Sequence, residues 1–481
     1  MAQQRARAAV VLAAGEGKRL KSARPKVLHR VAGRSLVGHV VAALRPLGLD
    51  ETVVVTSPQT EDVRRELEAD GLYDGVTCAV QERPLGTGDA TAAGLRALGD
   101  FAGTILVTPG DTPLLTASTL DAAFSVAAEN EAAAVVVTAT VEDPTGYGRV
   151  VRGDGNVVEK IVEHRDASPD DLRRHEINGG VYVFESGPLA AMLSKLDREN
   201  AQGEYLLTDV VALMRAASEK VLAFESNAVE VSGVNDRSQL AEAGRLLRAR
   251  AALGWMNEGV SLVDPATTYI DPTVEIEADT LIHPFTFLEG ATIIRSGAEI
   301  GPSSRIVDSE IGEGASVTFA VVRGSVVGRN ASVGPYASVR PGTRLAEGSH
   351  LGTFVEAKNT ALGRNSKANH LAYLGDAEIG EDVNIGAGTI TCNWDGTSKH
   401  KTVIEDDAYI SSDTMLVAPV RIGRGAATAA GSVVRDDVPA DALAVGVPAR
   451  IITGKGNRMK KRDSSKEKPG APRMDADDGE Q

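Results

Sequence analysis

The sequence predicts an α/β protein with two unlike halves: an N-terminal doubly wound, Rossmann-like α/β domain and a C-terminal parallel β-helix of hexapeptide repeats. In the first half, short unbroken apolar runs alternate with amphipathic stretches, which is the pattern of buried parallel strands joined by crossover helices. In the second half, branched aliphatic residues recur every six positions. We expect a first domain over residues 1–235, a linker helix over 236–258, the β-helix over 259–452 and a disordered tail over 453–481.

Length and composition agree with this division. A chain of 481 residues is too long for one ordinary core, so two or three domains are expected. Aromatic residues make up only 4% of the chain while glycines number 50, which indicates an aliphatic interior with many tight turns. The formal net charge of −15 argues against a nucleic-acid-binding protein, which normally presents a basic face.

The cysteines and the apolar stretches indicate the compartment. Cys78 and Cys392 lie far apart and form no CxxC pattern, so we expect a reducing, cytoplasmic setting without disulfides or structural zinc. No apolar stretch reaches the roughly 18 to 20 residues of a membrane span, so membrane insertion is not expected. The first apolar run leads directly into Gly15, which indicates a strand and a loop rather than a secretory signal.

The expected elements of the first domain follow its apolar and amphipathic stretches. Apolar runs predict strands over residues 8–14, 52–56, 104–108 and 132–141. Amphipathic stretches predict helices over residues 35–45 and 60–69. The linker helix is predicted because its stretch is rich in Leu, Ala and Arg and contains no Pro, and because Asp236 stands at its start, where a carboxylate stabilises a helix N-terminus.

A six-residue repeat predicts the β-helix. Aliphatic residues at this spacing include Val327, Val333, Val339, Leu345 and Leu351, and later Ile404, Ile410, Leu416 and Ile422. Each hexapeptide makes one short strand and one corner, and it buries its inward side chain only by stacking on its neighbours. A helix has a period of 3.6 and a half-buried strand a period of two, so a period of six fits neither.

The repeat is interrupted by an inserted loop over residues 392–403. Long loops on a rigid scaffold often carry function, so this loop is a candidate part of a site. After the repeat, residues 454–481 are dense in charged residues, Ser and Pro with almost nothing apolar, which predicts a disordered tail without a packed core.

A glycine-rich loop after the first strand predicts a phosphate site. Leu12, Ala13, Ala14 and Gly15 end the strand, and Arg19 and Lys26 follow. Glycines let backbone N–H groups approach phosphate oxygens, and the two cations add charge where pyrophosphate must leave. A glycine-rich loop alone is weak support, because many first βα turns contain glycine.

A carboxylate at a strand end predicts a metal ligand. Asp111 ends an apolar strand, and ligands bind at such ends in doubly wound sheets. Mg²⁺ prefers one or two protein oxygens together with substrate phosphates, so Asp111 suits it. The alternative is that Asp111 only caps the strand.

His370 is the histidine that its context singles out within the repeat. Glu356 precedes it by fourteen residues, close to one solenoid turn of roughly eighteen, and a carboxylate beside an imidazole raises its basicity. An amine acceptor needs such a base, because an ammonium must lose a proton before it attacks a thioester. Basic and polar residues expected to hold a sugar phosphate are Arg340, Lys358, Tyr373, Asn384 and Lys399. The alternative is an ordinary surface histidine.

These motifs occur in the order found in one family. The stretches around Gly15, Lys26, Asp111 and His370 are similar to those of the bifunctional N-acetylglucosamine-1-phosphate uridylyltransferase / glucosamine-1-phosphate N-acetyltransferases. The resemblance covers residues 5–452 and implies left-handed coiling of the β-helix. It also implies acetyl transfer from acetyl-CoA to glucosamine 1-phosphate in the second domain, and then uridylyl transfer from UTP in the first. A homotrimer with sites between subunits, acting in a bacterial cell-wall precursor pathway, is implied as well.

The resemblance assigns further residues. It implies that UTP and UDP-N-acetylglucosamine are bound by Leu12, Ala13, Ala14, Gly15, Arg19, Lys26, Gln81, Gly86, Thr87, Gly148, Glu163, Asn178 and Asn235. It implies Mg²⁺ binding by Asp111 and Asn235. It implies acetyl-CoA binding by Asn393, Trp394, Ser412 and Ala430. Two departures stand out: Lys18 replaces the family's usual Thr, and Arg450 is left to substitute for a basic residue missing from the last repeat.

Two other functions stay open at this point. A single-activity nucleotidyltransferase whose β-helix only regulates or oligomerises predicts no catalytic group on the β-helix, and His370 counts against it. A non-catalytic scaffold that binds partners through both domains predicts neither a phosphate loop nor a strand-end carboxylate, and Gly15 and Asp111 count against that.

Overall fold

The chain divides into two compact units, Met1–Leu247 and Arg248–Gln481. The structure, a computed structural model, describes residues 5–15, 17–58, 60 and 62–456. Most of the expected disordered tail, residues 457–481, therefore lies outside the described residues. Within the described residues, no helix has the length and apolar character needed to span a membrane.

A mixed sheet forms the centre of the first unit. Its strands are β1 (Arg7–Leu12), β4 (Glu51–Thr56), β5 (Val76–Val80), β6 (Thr104–Pro109), β7 (Ala134–Thr140), β8 (Arg149–Arg152), β9 (Val158–Val162), β10 (Glu176–Glu185) and β11 (Val221–Glu225), while β2 (Arg30–Val31) and β3 (Arg34–Ser35) form a separate hairpin. The order is β11-β7-β10-β6-β1-β4-β5. The four strands expected from apolar runs are confirmed as β1, β4, β6 and β7.

Helices cover both faces of this sheet. They are α1 (Leu36–Leu44), α2 (Val63–Ala69), α3 (Thr87–Leu98), α4 (Ala117–Glu129), α5 (Pro169–Leu172), α6 (Ser186–Leu193) and α7 (Asp209–Ala216), with short 3₁₀ turns at Lys18–Leu20, Lys26–Leu28 and Arg45–Leu47. Ala9 and Val11 of β1 point to one apolar core and Ala8 and Val10 to the other. This alternation buries β1 on both faces, as a central strand of a doubly wound sheet requires.

A helix, α8 (Arg237–Asn257), covers most of the stretch expected to form the linker. Asp236 caps it, because its carboxylate accepts hydrogen bonds from the Gln239 amide at 2.8 Å and from the Ser238 hydroxyl at 2.7 Å. The side chain of Gln239 in turn accepts from the Asn235 amide at 2.7 Å. The start of the helix therefore fixes the backbone of Asn235.

The second unit is a three-faced parallel β-helix. Its first face consists of Ser261–Leu262, Leu281–Ile282, Glu299–Ile300, Ser316–Val317, Ser332–Val333, His350–Thr353, Lys367–His370, Asn384–Ile385, Tyr409–Ile410, Ala427–Thr428, Leu443–Val445 and Arg450–Ile452. The second consists of Tyr269–Ile270, Phe287–Glu289, Arg305–Val307, Val321–Arg323, Ser338–Val339, Glu356–Lys358, Tyr373–Gly375, Ile390–Cys392, Met415–Val417 and Val433–Val434. The third consists of Glu275–Ile276, Ile293–Ile294, Glu310–Ile311, Val326–Val327, Arg344–Leu345, Ala361–Leu362, Ala377–Ile379, Thr402–Ile404 and Val420–Ile422. A 3₁₀ turn at Pro265–Thr267 precedes the second face.

The hexapeptide prediction is confirmed by burial. Ile300, Val317 and Leu351 point into the prism and are fully buried, and each contributes about 1.5–3 kcal/mol to stability when buried. Small residues such as Thr343 and Ser349 fill the corners and are equally inaccessible. The fold is the parallel β-helix that the repeat predicts, with the left-handed coiling that the resemblance implies.

One corner of the β-helix carries large exposed side chains. Between the first and second faces, Phe285, Phe319, Tyr336, Phe354 and Leu371 stand at the apex, and Ser303 takes this position on the turn between Phe285 and Phe319. The five large residues all have positive φ, between 45° and 59°, where bulky residues are uncommon. The rings of Tyr336 and Phe354 stack with centroids 5.5 Å apart. We call this row the aromatic corner.

Candidate active sites

A cleft of about 730 Å³ opens in the first unit at the carboxyl ends of β1 and β6, the usual ligand position in doubly wound sheets. The predicted residues that line it are Leu12, Ala14, Gly15, Arg19, Lys26, Gln81, Gly86, Thr87, Asp111, Glu163, Asn178 and Asn235. Ala13, also expected to bind the nucleotide, does not present its side chain to the cleft. Its side chain is fully buried in the core and its amide donates to the Val55 carbonyl at 2.8 Å, so the residue shapes the cleft from beneath.

Charged and polar groups meet in the middle of this cleft. The Lys26 ammonium forms an ion pair with the Asp111 carboxylate and donates to the Asn235 side-chain oxygen at 3.1 Å. Arg19 donates to the same oxygen at 2.7 Å. Asp111 and Asn235 come from separate segments, yet the Val234 amide donates to the Asp111 carbonyl at 2.9 Å and holds the two segments together. Their oxygens therefore share one cation, here the lysine ammonium.

The phosphate loop depends on glycine at one position. A Cβ on Gly17, whose φ is +64°, would lie 2.3 Å from the Lys26 Cβ. Glycine at residue 17 thus allows Lys26 to pass close to the loop and reach Asp111. Around Gly15 a Cβ would meet nothing within 4 Å, so that part of the loop is open to a ligand. The side chain of Lys18 lies outside the described part of the chain.

Gln81 and the loop before α3 form one end of the cleft. The Gln81 side-chain amide donates to the Gly86 carbonyl at 3.1 Å and to Asp89 at 2.7 Å. A Cβ on Gly86, whose φ is +114°, would lie 2.4 Å from the Tyr205 carbonyl, so glycine is required there. The Thr87 hydroxyl accepts from the Leu207 amide at 3.0 Å. These contacts hold the loop that carries Gly86 and Thr87, two of the residues expected to bind the nucleotide.

Glu163 and Asn178 form the other end of the cleft, beside Gly148. The Thr208 hydroxyl donates to the Glu163 carboxylate at 3.1 Å. Burial raises the pKa of the Glu163 carboxyl, and the hydrogen bond from Thr208 opposes this. A Cβ on Gly148 would lie 3.6 Å from both the Glu163 carboxylate and the Asn178 Cβ. The tightest contact of such a Cβ would be with the Ile161 side chain at 3.0 Å, so glycine at residue 148 relieves crowding beside these two polar side chains.

Sequence reasoning missed Tyr182 and Thr208, which also line the cleft. The Asn178 side-chain amide donates to the Tyr182 hydroxyl at 2.7 Å, and its oxygen accepts from the Gly180 amide at 3.1 Å. Tyr182 therefore orients Asn178 as Thr208 orients Glu163. No signal in the sequence gave Thr208, because its partner is 45 residues away along the chain.

On the second unit, His370 lies at the end of a first-face strand and is exposed. It precedes Leu371 of the aromatic corner, and the equivalent positions on the next turns are Ala387, Ser412 and Ala430. The Gly388 amide donates to the Leu371 carbonyl at 3.2 Å, the Asp413 amide to Ala387 at 2.6 Å and the Gly431 amide to Ser412 at 2.9 Å. The predicted base and two predicted acetyl-CoA residues thus follow a single corner of the solenoid.

The predicted sugar-phosphate residues divide between two faces. Lys358 and Tyr373 lie on the second face, and Arg340 follows a strand of that face. Lys399, in the inserted loop, approaches Lys358 so closely that this neighbouring ammonium lowers the pKa of Lys399. Asn384 lies instead on the first face, one turn from Lys367. The three predicted basic residues therefore lie on or beside the second face, whereas His370 and Asn384 lie on the first face.

The spacing argument for Glu356 is wrong. Thr353 pairs with His370, so the local turn is 17 residues, and Glu356 pairs with Tyr373 on the second face. The Glu356 carboxylate accepts a hydrogen bond from Arg340 at 2.7 Å. Within one chain Glu356 is thus not one turn from His370 but lies on the second face, on the same strand as Lys358 and paired with Arg340.

The inserted loop begins and ends on the second and third faces. The Asn393 side chain is buried, whereas Trp394 is 57% exposed and pairs with Lys399 across the loop. Arg450 is exposed in the last strand, which runs antiparallel to Leu443–Val445. Cys78 and Cys392 are free thiols.

Together the fold and the two sites define a class of protein: a two-domain transferase with a nucleotidyltransferase cleft and a hexapeptide-repeat acyltransferase surface. The model for the nucleotidyl transferase family matches residues 8–259. Relatives named bifunctional protein GlmU from Streptomyces coelicolor, Kineococcus radiotolerans and Halalkalibacterium halodurans are 48%, 47% and 44% identical to the chain. The matches cover 92%, 93% and 91% of this chain and 92%, 91% and 96% of those proteins. The chain belongs to this family of bifunctional GlmU proteins, which confirms the resemblance.

Proposed function

We propose that each unit of the chain performs one of two successive transfer reactions with the residues that line its own site. The chain is a bifunctional transferase in the synthesis of UDP-N-acetylglucosamine. It transfers an acetyl group from acetyl-CoA to glucosamine 1-phosphate, and then a uridylyl group from UTP to the resulting N-acetylglucosamine 1-phosphate with release of pyrophosphate. The product of the β-helix unit is thus the acceptor for the first unit.

Uridylyl transfer is assigned to the cleft around Asp111. The single observation that supports it best is the convergence of the Asp111 and Asn235 oxygens on one cation, beside an open glycine-rich loop. A sugar 1-phosphate oxygen attacks the α-phosphorus of UTP in line, and the bond to the pyrophosphate oxygen breaks. Because the nucleophile is already an anion, Arg19 and Lys26 need only position the phosphates and neutralise charge.

Mg²⁺ is the proposed metal of this cleft. Within the described residues, no group of three or more His, Cys, Asp or Glu side chains forms a site able to hold a metal. A carboxylate and an amide oxygen that already share a cation suit Mg²⁺, which takes few protein ligands and completes its shell with phosphates and water. When bound between Asp111 and Asn235, the ion supplies charge neutralisation at the reacting phosphates.

The two ends of the cleft are proposed to bind the two substrates. The loop held by Gln81, with Gly86 and Thr87, receives the uracil base, because its backbone groups and amide are fixed beside the phosphate loop. The part of the cleft that Glu163 and Asn178 line, beside Gly148, receives the sugar. Two oriented polar side chains at that end discriminate sugar hydroxyl and acetamido groups through hydrogen bonds.

Acetyl transfer is assigned to the corner that carries His370. Its imidazole accepts a proton from the ammonium of glucosamine 1-phosphate, the freed amine attacks the thioester carbonyl, and the coenzyme A thiolate leaves and takes up a proton. Arg340, Lys358 and Lys399 hold the phosphate, with Tyr373 and Asn384 on the hydroxyls. Asn393, Trp394, Ser412 and Ala430 bind acetyl-CoA, and Arg450 adds a cation near its phosphates.

A homotrimer completes this second site in our proposal. Within one chain the cations lie on the second face while His370 and Asn384 lie on the first, so a neighbouring copy that joins the two sets would bring them together. The aromatic corner supports assembly, because exposed apolar rows of this kind mark protein interfaces.

We expect light scattering to give three times the chain mass of 50.2 kDa. Dilution to monomers should end acetyl transfer and spare uridylyl transfer; full acetyl transfer by monomers would contradict the proposal.

The direct test of function is product analysis. Purified protein is incubated with glucosamine 1-phosphate, acetyl-CoA, UTP and Mg²⁺, and we expect free thiol, pyrophosphate and UDP-N-acetylglucosamine in equal amounts. When acetyl-CoA is left out, we expect no pyrophosphate release. Adding N-acetylglucosamine 1-phosphate to that mixture should restore pyrophosphate release. In the complete mixture, thiol release without pyrophosphate release would refute the assignment of the first unit. The absence of thiol release in that mixture would refute the assignment of the second unit.

A further inference from the structure

Asp376 lies at the corner between the second and third faces, where the chain passes from Tyr373–Gly375 to Ala377–Ile379. Its φ is 50°, so it occupies the left-handed region that Asp tolerates better than most residues. Its amide donates to the Lys358 carbonyl at 3.0 Å, and its own carbonyl accepts from the Thr402 amide at 3.2 Å. The backbone of Asp376 thus joins a predicted phosphate-binding strand to the end of the inserted loop.

The carboxylate of Asp376 holds the other end of the same loop. One oxygen accepts from the Asn359 side-chain amide at 2.7 Å and the other from the side-chain amide of Asn393. Asn393 opens the inserted loop, and its carbonyl accepts from the His400 amide at 2.8 Å. One residue therefore fixes both ends of the segment that carries Trp394 and Lys399.

Charge supports the same role. Burial raises the pKa of Asp376, but hydrogen bonds from Asn359 and Asn393 and the nearby Lys358 and Lys399 outweigh it and hold the pKa below its usual range. The carboxylate is therefore ionised at neutral pH and opposes the repulsion between the two ammonium groups. An ionised oxygen also makes a stronger hydrogen bond to an amide than a neutral one does.

We propose that Asp376 is a positioning residue for acetyl transfer: it fixes Asn393 and the inserted loop in the geometry that binds acetyl-CoA. This inference rests on the proposed function, which assigns Asn393 and Trp394 to acetyl-CoA. Asp376 itself touches no reacting atom. Its effect therefore appears in the binding of the thioester rather than in proton removal by His370.

The test is Asp376→Asn, which keeps the size and shape of the side chain but replaces one carboxylate oxygen, an acceptor, by an NH₂ group, a donor. Because Asn359 and Asn393 both donate to this side chain, one hydrogen bond must be lost. We expect the KM for acetyl-CoA to rise about tenfold or more, with a smaller change in kcat and unchanged uridylyl transfer. Asp382→Asn is the matched control, because Asp382 has a similar φ of 54° and accepts from Asn365 at 3.2 Å without contacting the loop.

Asn393→Ala separates this inference from the proposed function. If Asn393→Ala leaves the KM for acetyl-CoA unchanged, the assignment of the loop to acetyl-CoA fails. If Asn393→Ala raises it and Asp376→Asn does not, the positioning role of Asp376 is overturned. A fall in kcat and in unfolding temperature at constant KM would also overturn it, because that is the result of a purely structural contact. The double variant should be no worse than Asn393→Ala alone.

Discussion

His370→Ala should lower kcat for acetyl transfer by about 10²- to 10⁴-fold, the usual contribution of a positioned general base. The physical reason is that glucosamine 1-phosphate carries an ammonium group at neutral pH, and its nitrogen has no lone pair until a proton is removed. The measurement is thiol release from acetyl-CoA with glucosamine 1-phosphate as acceptor. Uridylyl transfer by the same preparation should equal that of the unaltered chain, since His370 lies in the other unit.

His283→Ala is the matched control for this experiment. His283 also lies at the end of a first-face strand, where its ring contacts the Glu299 carboxylate at 2.8 Å. It has no predicted substrate near it, so its loss should leave both reactions intact. Thiol release that survives His370→Ala at the normal rate would remove this histidine from the mechanism and return it to the role of an ordinary surface residue.

The β-helix could be predicted from sequence because its rule is local. Each strand is short, its inward residue is aliphatic, and its partner is one turn away, as with Ile300 and Val317. The phosphate loop and α8 were also local patterns, with glycines near Gly15 and a capping carboxylate at Asp236. Local patterns of this kind can be recognised in the sequence without knowledge of the tertiary structure.

The features that the sequence could not predict depend on contacts between residues that are far apart along the chain. Strand β10 runs antiparallel between β6 and β7, and an apolar run shows neither its direction nor its neighbours. Tyr182 and Thr208 become site residues only because folding brings them to Asn178 and Glu163. The spacing of Glu356 misled because regular turns span 16 to 18 residues. A separation of 14 residues falls short of a turn and places Glu356 on a different face from His370.

Asp111→Asn should lower the rate of pyrophosphate release from UTP by about 10³-fold, since a metal at reacting phosphates contributes several kcal/mol. The substitution preserves size but removes the only carboxylate of the proposed ligand pair. It should also raise the Mg²⁺ concentration needed for half-maximal rate, which a purely structural defect would not do. Asn235→Ala should have a smaller effect in the same direction, because it removes a neutral oxygen that carries less charge for the metal.

Two further measurements make the Asp111 result decisive. Asp121→Asn is the matched control, because Asp121 is an exposed carboxylate paired with Arg7 at 2.8 Å; both reactions should survive its loss. Acetyl transfer by Asp111→Asn should be normal, which shows that the β-helix unit is folded and active. If pyrophosphate release by Asp111→Asn kept the normal rate and the normal Mg²⁺ dependence, then Asp111 would be only the partner of Lys26. The cation between Asp111 and Asn235 would in that case be the lysine itself, and the metal would have to bind elsewhere.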